Sequence, residues 1–194
     1  MNNAERVCAL PLTAKRLTSF LVGKWVFQRT ITHAHGLSMG NVVNASATFS
    51  AVLDEPSKLL YSENGSLSLR ELLSFSTLCT QYTFPYLNLF CFIASGVELS
   101  FQRQYLYDVL EGGDSAKLRV FFYCPEQPNE HLKFFHDLDL SSGQGEARHL
   151  CVNDLYSGSY SIDCPRRQFQ TMWQVQGPNK DFVINTEYER DENN

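Results

Sequence analysis

The chain has 194 residues, of which 43% are hydrophobic, 13% aromatic and 19% charged, and its formal net charge is −5. That length fits one domain with a substantial core, and the composition excludes a disordered polar segment. Lysine and arginine form no stripe of the kind that neutralises phosphates, so nucleic acid is not an expected partner.

Residues 1–12 read as a frayed N-terminal arm. From Thr13 to Leu21 apolar residues recur three and four apart (Ala14, Leu17, Phe20, Leu21), which predicts one short helix with Thr13 as its N-cap and Gly23 as its stop. After it the period changes to two. Lys24 to Thr32 places Trp25, Phe27, Arg29 and Ile31 on one face, the pattern of a strand with one buried side. The same alternation predicts strands over Val43–Ala51, Leu59–Leu67, Leu99–Tyr107, Lys117–Cys124, Leu132–Leu140, Ala147–Tyr156, Phe169–Val175 and Phe182–Tyr188. Turn-forming residues separate most of these runs, among them Asp54-Glu55-Pro56, Ser141 to Gly145 and Gly177 to Asn179.

About nine consecutive strands with short connections, and no second helix for a crossover, predict an all-β up-and-down antiparallel sheet. Such a sheet removes its edges by closing into a single barrel. The barrel domain is expected over 13–190, with an acidic tail at 191–194. Within it Leu72 to Val97 carries no charge and interrupts the strand pattern, and reads as an insertion or a gene-model error. Pro85, Gln81 and Asn88 argue against a membrane-spanning helix there.

The six cysteines (Cys8, Cys79, Cys91, Cys124, Cys151, Cys164) show no C-x-x-C pair and no zinc-type spacing with the five histidines. They are expected to be free thiols, with no metal site and no cofactor. Glu5 and Arg6 are not followed by an apolar run of signal-peptide type, so the expected location is cytoplasmic.

Gly23-Lys24-Trp25, after a helix and opening the first strand, resembles the Gly-x-Trp signature of lipocalin-like barrels. That resemblance implies that Trp25 plugs the closed end beneath the helix, with Arg190 from the last strand packed across it. The stretches Gly23 to Thr32, Phe134 to Leu140, His149 to Tyr160 and Trp173 to Tyr188 are similar to a lipocalin-like, calycin-type family of bacteria and eukaryotes catalogued as a domain of unknown function. This likeness implies a fold and carries no activity with it.

Parity then indicates what the barrel encloses. Arg29 shares a face with Trp25, Glu63 with Tyr61, and Arg103 with Phe101 and Tyr105. His136 falls in phase with Phe134 and Leu138, and His149 with Cys151 and Ala147. An internal Arg29/Glu63/Arg103 network that fixes register and a ligand-facing site both fit this pattern. In the ligand-facing case Arg29, Glu63, Arg103, Tyr105, His136, His149 and Tyr188 form the site. Two guanidiniums against one carboxylate then favour a small acidic or amphipathic ligand, a geometry that resembles the carboxylate clamps of fatty-acid-binding barrels. A non-enzymatic binding barrel is the leading expectation. The alternatives are a lyase- or isomerase-like enzyme with Glu63 or His136 as acid or base, and a barrel with a filled interior. No nucleophile elbow, P-loop or dinucleotide fingerprint is present.

Overall fold

The computed structural model describes residues 11–36, 38–69, 98–110, 115–125 and 132–192. The expected insertion at 72–97, residues 1–10 of the N-terminal arm and residues 193–194 of the tail lie outside them. One helix, α1 (Ala14–Leu21), precedes ten strands: β1 (Gly23–His33), β2 (Ser38–Val52), β3 (Glu55–Leu69), β4 (Glu98–Leu110) and β5 (Lys117–Phe122). These are followed by β6 (Lys133–Asp139), β7 (Gln144–Cys151), β8 (Asp154–Asp163), β9 (Gln168–Gly177) and β10 (Lys180–Arg190).

The strands form one sheet in the order β6-β5-β4-β3-β2-β1-β10-β9-β8-β7. Sequence neighbours pair antiparallel, and β1 pairs with β10 as well as β2, which curls the meander into a nearly closed barrel. At the remaining seam β6 and β7 approach without a backbone ladder between them among the described residues. Gly145 makes the approach possible, since a Cβ there would fall 2.5 Å from the Asp139 carbonyl oxygen. Farther along the seam, the His149 imidazole and the Phe135 carbonyl oxygen are hydrogen-bonded at 2.8 Å.

The expected all-β up-and-down barrel is therefore the observed fold, with ten strands in place of nine. The tenth comes from splitting Ala147–Tyr156 into β7 and β8, joined by a two-residue turn at Val152-Asn153. Val152 adopts a φ of 57°, a conformation that β-branched residues rarely take, so the hairpin carries none of the usual Asn-Gly or Asp-Gly chemistry. Gly158 sits in regular register opposite Ala147 and Trp173. Its missing Cβ makes room for the Trp173 ring, which would otherwise lie 2.7 Å away.

Helix α1 covers the end of the barrel at which β1 begins and β10 finishes. Thr13 caps it as expected, its hydroxyl accepting from the Arg16 N–H at 3.4 Å, and Leu17 and Leu21 face the core. Trp25 is fully buried beneath it, edge-on to Phe169 with ring centroids 4.8 Å apart. The last carbonyls of a helix have no partners within it; here the Trp25 indole N–H donates to Leu21 O at 2.8 Å, while Arg190 donates to Val22 O at 2.7 Å and to Phe20 O. The Arg190 guanidinium lies 4.1 Å from the Trp25 ring centroid. Gly23 is required twice over. Its φ is +123°, and a Cβ there would meet Arg190 Nη1 at 2.5 Å.

The thiol expectation needs one correction. Cys124 and Cys151 are free, but Cys164 is disulfide-bonded. No helix among the described residues is long and apolar enough to cross a membrane.

Candidate ligand-binding cavity

Period-two alternation on β1, β3 and β10 turns Arg29, Glu63 and Tyr188 into the same interior, and the register places Thr186 directly opposite Arg29. The result is a buried polar knot. Arg29 grips Glu63 with two parallel bonds, Nη1 to Oε1 at 3.0 Å and Nη2 to Oε2 at 2.7 Å, while its Nε donates to the Thr186 hydroxyl at 2.9 Å. The Tyr61 hydroxyl donates to Glu63 Oε2 at 2.5 Å and lies 3.0 Å from the Tyr188 hydroxyl. Burial pushes the Glu63 carboxyl up in pKa, but the Arg29 guanidinium, joined by Arg103 and the Tyr61 hydroxyl, holds it below the usual carboxylate value. The pair is ionised and mutually satisfied, as a charge at 2% exposure must be.

Arg103 stands beside this knot. Its Nε is 3.9 Å from Glu63 Oε1, and its side chain keeps 23% of its surface accessible. Above the knot opens a cavity of about 300 Å³, at the lower bound of the ~300–1,000 Å³ usual for small-molecule sites. Arg29, Arg103 and Glu63 are the charged residues in its lining among the described residues, two cations against one anion. Aromatic rings make the wall: Phe135 stacks on Trp173 at 5.3 Å and on Tyr105 at 5.7 Å, and packs against Phe122 at 4.6 Å. Burial raises the Tyr105 hydroxyl in pKa, with the Arg103 charge opposing it, and raises Tyr188 to about 12, so both are neutral donors near neutral pH.

Arg29, Glu63, Arg103, Tyr105, His149 and Tyr188 all line this cavity. His136 does not. The register between β5 and β6 shifts at Val120/Phe121, so Phe134 turns outward, 48% exposed, and Phe135 takes the cavity wall. His136 is left in the core with its Nε2 3.1 Å from the Tyr160 hydroxyl, and burial pushes its pKa down to about 4. His149, on the β7 wall, is also lowered by burial. The two groups named for acid–base work are thus placed otherwise. Glu63 is held as an anion by its donors, and His136 is a neutral core residue near neutral pH.

Sequence reasoning missed Thr186, although its parity with Tyr188 was visible and only the β1–β10 pairing was needed to bring it to Arg29. It also missed Phe135, which the bulge hides. Trp173 also contributes to the wall. Trp25 and Arg190 lie at the far end, under α1, where the Gly-x-Trp resemblance placed them.

An up-and-down antiparallel barrel, plugged at one end by a helix and tryptophan and hollow above, is a lipocalin-like barrel of the calycin type. The chain belongs to the family of unknown function DUF6314, whose model matches residues 21–190. Its fold is similar to that of the S-type phycobiliprotein lyase CPES from Guillardia theta, with a TM-score of 0.58, 9% identity, and coverage of 94% of this chain and 95% of that one. Rv2717c from M. tuberculosis aligns over 94% of this chain and 99% of its own, with a TM-score of 0.44 and 12% identity. No curated protein sequence matches the chain.

Proposed function

We propose that this protein binds a small amphipathic acid inside the barrel, with the acidic head at Arg103 and Tyr105 and the body against Phe122, Phe135 and Trp173. The observation that carries this reading is the charge of the cavity lining. In a chain of net charge −5, the hollow is lined by two arginines against one glutamate, all set among aromatic rings. Arg29 is spent on Glu63 and Thr186, so Arg103 supplies the charge that a ligand meets. This differs from the clamp expected from sequence, in which both arginines face the ligand. Arg103 keeps some contact with water, and the desolvation that ligand entry imposes on it is offset by the ion pair it gains with an acidic head.

The test is calorimetry with 8-anilinonaphthalene-1-sulfonate, an aromatic anion, together with a series of aryl and alkyl carboxylates. The parent should bind at least one saturably, and Arg103→Leu should weaken it by about 2 kcal/mol, the lower end of the range for losing one partner of a charge pair. Circular dichroism should show the barrel intact. Failure of the parent to bind any acidic probe, or equal affinity in parent and variant, would leave the charges as internal scaffolding. The compartment follows from the thiols. Six reduced cysteines fit the cytoplasm, whereas the Cys164 disulfide fits an oxidising one, and the thiol state of protein isolated from its host decides between them.

A further inference from the structure

The rim where β1 and β10 meet, at the end of the barrel away from α1, carries side chains that the cavity does not use. β1 ends at His33, and the turn after it folds back: the Gly36 N–H donates to the His33 carbonyl oxygen at 2.8 Å, with Gly36 at a φ of +86°. That turn lays the imidazole of His35 parallel to that of His33, with ring centroids 5.7 Å apart and 10° between planes. From the other side, the Ala34 N–H donates to the backbone carbonyl of Asp181 at 3.1 Å and holds the start of β10 against the same turn. A ring nitrogen from each histidine and a carboxylate oxygen of Asp181 lie within 4.8 Å of one another.

Three observations make this more than a chance cluster. His33 Nδ1 is buried and has no hydrogen-bond partner, a costly condition for a polar atom that coordination through Nδ1 would relieve. Two imidazoles and one carboxylate are a donor set for divalent transition metals of the zinc class, with a fourth position left for water. The neighbouring cation, Lys180, pairs with Asp154 at 2.6 Å, so the carboxylate it is seen to neutralise is that of Asp154 and not that of Asp181. Tetrahedral ligands on bonds of about 2.1 Å sit about 3.4 Å apart, so the three groups have little over an ångström to close. His35 is exposed in a turn and has the freedom to make that movement, with open space around Gly36 beside it.

We propose that His33, His35 and Asp181 bind one divalent transition-metal ion, zinc or a close relative, which pins the β1–β2 turn to the first residues of β10. The site lies outside the cavity lining and does not depend on the ligand reading above. Sequence spacing gives no hint of it beyond the His-x-His at a strand end, because the third donor arrives from the opposite end of the chain.

The experiment is a calorimetric titration of chelator-treated, metal-free full chain with zinc chloride, paired with thermal melts with and without the ion. The expected result is one zinc per chain at micromolar affinity or tighter, with a melting temperature raised by zinc and restored by chelator. His35→Ala and Asp181→Asn should each weaken binding at least about 10-fold while circular dichroism stays unchanged. Cys124→Ser/Cys151→Ser should bind like the parent, which separates this site from adventitious thiol binding. Absence of saturable one-to-one binding, binding lost in the cysteine variant, or binding that survives both His35→Ala and Asp181→Asn would overturn the proposal.

Discussion

Mild acid should weaken the barrel through a single core histidine. His136 is 1% exposed, and its pKa is pushed down from 6.5 to about 4, chiefly by burial. In the unfolded chain the imidazole takes a proton below about pH 6.5, whereas in the native barrel it stays neutral until about pH 4. The unfolded state therefore binds more protons across that window, so stability falls as pH drops from about 6.5 to about 4, and is constant in this term above and below it. A shift of about 2.5 units corresponds to about 3 kcal/mol, with a steepest slope of about 1.4 kcal/mol per pH unit. Urea unfolding between about pH 7 and pH 4.5 measures it, above the range where Glu63, whose pKa is lowered, begins to lose its charge. His136→Gln keeps an acceptor for Tyr160 without a titrating proton and should flatten the curve. His149→Gln, run alongside, removes the contribution of the same sign from the cavity wall. Equal slopes in the parent and His136→Gln would refute the reasoning.

Trp25→Ala should lower unfolding free energy by about 3–5 kcal/mol in urea, because it empties the plug beneath α1 and frees the Leu21 carbonyl; a melt like the parent's would deny the plug its role. Glu63→Gln leaves the Arg29 guanidinium buried without its counter-charge and should cost about 3–5 kcal/mol, while Arg29→Met with Glu63→Gln should recover much of that. Gly158→Val should cost about 1–3 kcal/mol and shift tryptophan fluorescence, since its side chain would enter the space of the Trp173 ring. Alkylation mapped by mass spectrometry on denatured, unreduced protein should modify Cys124 and Cys151 and spare Cys164 until reductant is added.

The parts of this molecule that could be read from residues alone are those where strand alternation runs unbroken. β1 keeps Trp25, Phe27 and Arg29 buried at every second place, and the same holds for Tyr61 and Glu63 on β3, so the Arg29–Glu63 pair follows from parity once the sheet closes. What parity does not supply is register. The shift between β5 and β6 exchanges Phe134 for Phe135 at the cavity, one slipped residue being enough to reverse inside and outside, while His136 keeps its inward parity with Leu138 but lies among the rings of Phe135, Tyr160 and Trp173 instead of in the lining. The β7–β8 hairpin escaped notice because Val152 carries the positive φ where glycine or asparagine would have signalled a turn. Charge count also leaves out geometry: two arginines and a glutamate fit an internal network and a ligand site alike, and only the side-chain positions show the planar fork of Arg29 closed on Glu63 with Arg103 beside the pair.

The unlaced seam has a consequence for how the barrel moves. Every other strand boundary is held by a ladder of backbone bonds, whereas β6 and β7 meet through the tight passage at Gly145 near the closed end and the His149 bond to Phe135 farther along. Separating them breaks no ladder, so the lowest-energy opening of the wall is a parting along this line. Amide protons along the facing edges of β6 and β7 should exchange with solvent sooner than those at the β1–β10 boundary. The wall that parts carries Phe135 and His149, both in the cavity lining, so the same fluctuation opens the hollow sideways.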